Sequence, residues 1–230
     1  MSDMYRQLLN LHWKTVRWPL APVILLAFGL PLFVLRLADV FGPAGTRVPP
    51  AMVIHMQGEW SFVFPFLALI TGVMIALTAW SWDHQGRHVY ALSLPVSRGR
   101  YSMLKFAAGM TMLLLPVIAL AVGTMAGLAA TPVPTGLHAY PLSFVARFLL
   151  AATIVYAATF AAASSTVRTT AIILVLFVLV VIFGTVFVSF LQEALHDHSI
   201  VTPIELLYTA LARWPGPFNV FGGNWLIIDA

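Results

Sequence analysis

No cysteine occurs in the 230 residues, so disulfides and thiolate metal sites are excluded, although the compartment is not fixed by that alone. Charge is scarce too. Only 9% of the residues are charged, whereas a soluble domain carries about a quarter, because water must wet its surface. The apolar stretches carry no Asp, Glu, Lys, Arg or His in their middles, and all seven histidines fall in loops or interfacial segments. Intramembrane ionisable groups mark proton relays and ion-coupled transport, so their absence argues against a proton-driven carrier. A haem cytochrome would place histidine ligands within the spans and is disfavoured likewise. No GxxxxGK[ST] phosphate loop appears, so the chain is not expected to hydrolyse ATP itself. No catalytic triad or glutamate-rich protease pattern appears either, so no catalytic, cofactor-binding or metal-binding residue is expected.

What the sequence has in abundance is apolar surface: 60% of its residues. A soluble core of this length cannot hide so much, whereas lipid can. The apolar runs exceed the reach of barrel strands, which leaves helices to satisfy the backbone. Five charge-free runs mark spans: Trp18 to Leu35, Trp60 to Trp82, the stretch from Lys105 to about Ala130, Phe148 to Val167, and Thr169 to Gln192. Each reaches or exceeds the roughly 17–25 residues a spanning helix needs. The expected fold is therefore all-α: a polytopic helical membrane protein with about five transmembrane helices in one domain, residues 1–230. Residues 1–17 read as an amphipathic interfacial helix, with Tyr5, Leu8, Leu9, His12 and Val16 at helical spacing, entering the membrane at Trp18-Pro19. Leu37 to Glu59 reads as an outer loop.

Basic residues set the orientation. With the N-terminus inside, eight Lys and Arg fall in inner segments and four in outer ones, which favours a cytoplasmic N-terminus. The net charge of +4 then reflects loops that face anionic lipid and calls for no nucleic-acid partner. Residues 193–230 form a tail that parity places outside unless it re-enters the membrane. Within it, Thr202-Pro203-Ile204-Glu205 has the form of a capping box. Gly123 with Gly127, and Gly72 with Ala76, give small-xxx-small steps that read as close helix packing, with dimerisation as the alternative. His84 and His88 stand at i and i+4 on one helix face, but with no nearby third ligand they read as solvated side chains.

The inner loop, residues 83–104, is the most distinctive segment. Val89, Tyr90, Leu92 and Leu94 alternate with polar groups, Pro95 ends any helix, and a basic cluster follows. Its apolar side suits docking on another protein or resting on the membrane surface. Asp83, Gly86 three positions on, Leu92-x-x-Pro95-Val96-Ser97-Arg98 and the downstream Lys105 together resemble the permease subunits of type-2 ABC exporters. That family usually has Glu at the position of Asp83 and often Thr at that of Arg87. The amphipathic N-terminal segment also looks like the family's interfacial helix. The family normally has a sixth span; here Ile204 to Ile228 offers only a run interrupted by Arg213 and two prolines.

The resemblance implies a multi-pass subunit in a bacterial cytoplasmic membrane, paired with a second permease chain. It implies a separate cytoplasmic ATP-binding cassette partner that holds ATP and Mg. Asp83, Gly86, Val89, Tyr90, Leu92, Leu94, Pro95 and Arg98 would then form the ATPase-coupling element. Two other readings stand beside it: an ATPase-coupled protein that passes motion to a membrane or periplasmic partner without transport, and a structural membrane scaffold. No substrate is legible.

Overall fold

The computed structural model describes residues 2–41, 50–85, 97–131, 136–164 and 217–229, with isolated positions between 172 and 206. Among the described residues five continuous α-helices carry the fold: α1 (Ser2–Phe41), α2 (Pro50–Trp60), α3 (Val63–Gln85), α4 (Arg98–Ala130) and α5 (Pro141–Ala163). Four stretches among the described residues are long and apolar enough to cross a bilayer: Met4–Arg36, Pro50–Ser81, Gly99–Ala130 and Pro141–Ala163. The chain is thus a mostly helical protein of membrane-spanning type. The expected fifth span, Thr169 to Gln192, lies largely outside the described residues; Ile172, Leu176, Phe183, Phe187 and Phe190 are helical and exposed.

Two compact units emerge, Met1–Phe160 with Asn224–Ala230, and Ala161–Gly223. Within the first, α1 packs most extensively on α4. Aromatic and glycine contacts give the helix directions. Phe64 meets Phe144, Gly72 meets Ala152, and Trp80 meets Phe160, so α3 and α5 run parallel. Phe106 meets both Tyr156 and Phe160 while Gly109 meets Tyr156, so α4 runs antiparallel to α5. Each helix buries one apolar face and presents another. On α4, Leu113, Val117, Leu120 and Gly127 turn inward, and Leu114, Ile118, Val122 and Met125 outward. An apolar outer face is what a helix in lipid requires.

The glycine steps are packing devices inside the chain. A Cβ on Gly123 would overlap the Phe28 carbonyl of α1, and one on Gly127 would press on Leu35. A Cβ on Gly72 would lie 2.8 Å from the Ala152 oxygen and the Tyr156 nitrogen of α5. Small residues there let backbones approach closely enough for dispersion to act, the main helix–helix attraction in lipid.

Several boundaries differ from those the sequence suggests. The supposed outer loop contains α2, which starts at Pro50, where a missing N–H costs nothing at a helix start. Only Ser61 and Phe62 separate α2 from α3. The helix α5 starts at Pro141, so Arg147 sits inside it rather than before it. The inner loop is shorter than 83–104: α3 continues to Gln85 and α4 begins at Arg98. The all-α expectation also omits a two-residue antiparallel pairing of β1 (His138–Ala139) with β2 (Ile228–Asp229).

Helix continues from residue 2 through Trp18-Pro19 to residue 41, about 60 Å of contour at 1.5 Å per residue, twice the ~30 Å of a bilayer core. Of the face expected to lie in the membrane interface, Leu8, His12 and Val16 are buried, with Leu8 and His12 against the chain's own α3 and α4. Its contacts change sense along α4. Tyr5 bonds Thr111 at 2.6 Å, while Leu8, Leu11 and His12 face Lys105 and Ala108; further on, Phe28 meets Gly123 and Leu35 meets Gly127. A straight helix cannot run down and then up its neighbour, so α1 turns between these stretches. Pro19 and Pro22 lie there, and each removes an i→i−4 bond.

In the second unit the capping box forms as its sequence suggests. The Thr202 N–H donates to Glu205 Oε2 at 2.9 Å, and the Glu205 N–H to Thr202 Oγ1 at 3.2 Å. These bonds hold the exposed Glu205 carboxyl below its ordinary pKa, the one from the Thr202 backbone first.

Candidate functional site

Asp83 sits in the last turn of α3, and Tyr101 and Lys105 one turn apart near the start of α4. The antiparallel helices bring these groups together. Lys105 Nζ forms a salt bridge and hydrogen bond with Asp83 Oδ2, and the Tyr101 hydroxyl donates to Asp83 Oδ1 at 3.1 Å. All three side chains are buried, Asp83 to 2% exposure and Lys105 to 6%. The ammonium also lies 4.3 Å from the centroid of Trp80, one turn before Asp83. A buried charge without a partner is prohibitive, so each group here depends on the other.

A third helix joins through His12, whose Nε2 lies 3.3 Å from Thr78 Oγ1. Thr78 Oγ1 also lies 2.9 and 3.0 Å from the Met74 and Ile75 carbonyls. Which of His12 and Thr78 donates to the other follows the tautomer of the histidine, whose other ring nitrogen is Nδ1. That nitrogen is buried with no hydrogen-bond partner. Beside it lies a cavity of ≈ 10 Å³ between Leu8, His12, Thr78 and Lys105. One water fits such a space, at the lower limit.

The cluster clamps the two ends of the inner loop. Of the residues expected to form the coupling element, Asp83 is in the clamp and Arg98 is the first residue of α4. Gly86, Val89, Tyr90, Leu92, Leu94 and Pro95 lie outside the described residues, as do the side chains of His84 and His88. No group of three or more His, Asp or Glu able to hold a metal occurs among the described residues. In the sequence Asp83 and Lys105 stand as motif positions, and nothing in the motif pairs them. A signal for the pair exists nonetheless: opposite charges flank the loop, with Trp80 and Tyr101 each one turn away on the same helix face.

At the opposite end of the bundle, residues 224–229 lie against α2 and α5. The Gln57 Oε1 accepts the N–H groups of Ile227 and Ile228 at 3.2 Å each. Tyr140 N–H donates to the Ile227 carbonyl at 3.0 Å, and Arg147 Nη1 to that of Asn224 at 2.8 Å. Arg147 also stacks 4.7 Å from the centroid of Trp225, which is buried.

Apolar helices long enough to span lipid, closely packed through glycine, define an integral membrane protein of the multi-span helical class. No known protein family, curated protein or solved structure matches the chain at a significant level.

Proposed function

We propose that this chain is the membrane-spanning subunit of an ATP-driven transporter of the type-2 ABC exporter kind. The observation that carries the proposal is the clamp of Asp83, Tyr101 and Lys105 at the base of the loop with the exporter-like motif. Two motif positions far apart in sequence, Asp83 and Lys105, owe their residue types to one physical requirement. Together they hold the ends of a loop in a fixed relation to α3 and α4. A loop so anchored passes a push from a cytoplasmic ATPase into two spans rather than dissipating it in its own flexibility. His12 extends that path to α1.

In this reading the N-terminus and the loop between α3 and α4 face the cytoplasm of a bacterial cell, and a second permease chain completes the pathway. ATP and Mg reside in a separate cassette subunit, in keeping with the absence of a phosphate loop here. The direction of transport is outward, by the same resemblance.

Two measurements test it. In membranes, a cysteine at Ser97 is labelled from the cytoplasmic side alone and one at Thr135 from the other side alone, against a background free of native thiols. The purified chain binds no ATP, whereas its complex with a cassette subunit binds and hydrolyses it. Reversed labelling, or micromolar ATP binding by the isolated chain, overturns the proposal.

A further inference from the structure

We infer that residues 224–229 form a releasable strap, which closes one end of the helix bundle by tying α2 to the start of α5 and opens without unfolding the helices. The inference stands independently of the ATP-driven reading.

The strap is fixed at few points relative to what it buries. Trp225, Ile227 and Ile228 are each at most 2% exposed, and Trp225 packs edge-on against Phe144, which packs edge-on against Phe64. Its backbone is held by the Tyr140 N–H, the Arg147 guanidinium and the pairing with β1, while the Ile227 and Ile228 amides share a single carboxamide oxygen, Gln57 Oε1. The docked state also strands two donors. Gln57 Nε2 and Trp225 Nε1 are buried with no acceptor. Lifting the strap delivers both to water, together with the Ile227 and Ile228 amides, so part of the gain from apolar burial is offset whenever the strap is down. A contact built this way opens more readily than a helix pair whose backbone bonds are all internal.

The chain is also cut for such a movement. It enters the strap through Gly223, at a φ of 70° that side-chain-bearing residues rarely adopt. On the other side, α2 joins α3 through the turn at Ser61 and Phe62, so α2 can shift once Gln57 is released. Lifting takes the Trp225 ring off Phe144.

Hydrogen exchange of the whole chain in lipid nanodiscs reads the strap directly. The amides of residues 224–229 should exchange on the order of a hundredfold faster than those of α4 and α5, by local opening. Gln57→Leu should speed the strap a further tenfold or so and leave the α4 peptides unchanged, since it removes the shared acceptor. Ala139 and Ile228 are directly opposed in the β pairing, so the Ala139→Cys/Ile228→Cys disulfide should slow the strap to the rate of the helices, reversibly on reduction. Exchange of strap and helices in one common event, a Gln57→Leu effect shared by both or absent from both, or failure of the disulfide to form, would each overturn the inference.

Discussion

The two ends of the bundle are tied by different chemistry. At one, ionised side chains of Asp83 and Lys105 meet inside a cage of Trp80 and Tyr101. At the other, the backbone of residues 224–229 is held by a neutral carboxamide, an arginine and a two-residue strand pair. Charge in a low-dielectric site is all-or-none: the pair holds while both members are present and becomes a liability when one is lost. Dispersed contacts, Arg147 among them, fail one at a time, so they suit a part that opens and closes. The end built on a buried ion pair therefore suits rigid transmission, and the end held by dispersed contacts suits release.

Substitutions can break this comparison. The largest effect is expected for Asp83→Ala, which strands the buried Lys105 ammonium and should cost about 3–5 kcal/mol. Unfolding in mixed detergent micelles would measure it. Replacing both members by Leu should recover most of that loss; a double variant as unstable as the single one would mean that the charges are not each other's main support. Tyr101→Phe comes next, at about 1.5–3 kcal/mol, because the hydroxyl donates to a charged, buried acceptor. Gly123→Ala should cost about 1–3 kcal/mol by forcing α1 away from α4. Gly29, with nothing within 4 Å of an added Cβ, is the control, and Gly29→Ala should be neutral or stabilising by about 0.5–1 kcal/mol. The smallest effect belongs to the strap end. Arg147→Ala removes a half-buried cation–aromatic contact worth about 0.5–1 kcal/mol together with the exposed hydrogen bond to the Asn224 carbonyl, and should leave the helices' unfolding midpoint nearly unchanged.

Legibility in the sequence followed the same division. The spans were readable because lipid imposes length and apolarity on each helix separately, and Ala130 ends α4 where the apolar run ends. The helical spacing of Leu8, His12 and Val16 was readable for a similar local reason, but their burial against α3 and α4 was not. Asp83 and Lys105 stood out as motif positions, yet their pairing depends on how α3 and α4 align, which no periodicity encodes. The strap was not readable at all. Its contacts with Gln57 join residues 170 and 171 apart through backbone N–H groups that every non-proline residue possesses. The helix α2 was hidden for another reason: the prolines and glycines before it announce a loop, and Pro50 serves equally well as a first helical residue.

Under the proposed function, the loop anchored by Asp83 and Lys105 receives the push of an ATPase through Leu92 and Leu94, each contributing roughly 1.5–3 kcal/mol when fully sheltered from water. The double variant Leu92→Asp/Leu94→Asp alters no span, so it should reach the membrane at normal levels. It should nonetheless lose co-purification with the cassette subunit, or lose ATP hydrolysis linked to transport. Normal insertion with unchanged ATPase association and turnover would contradict the account.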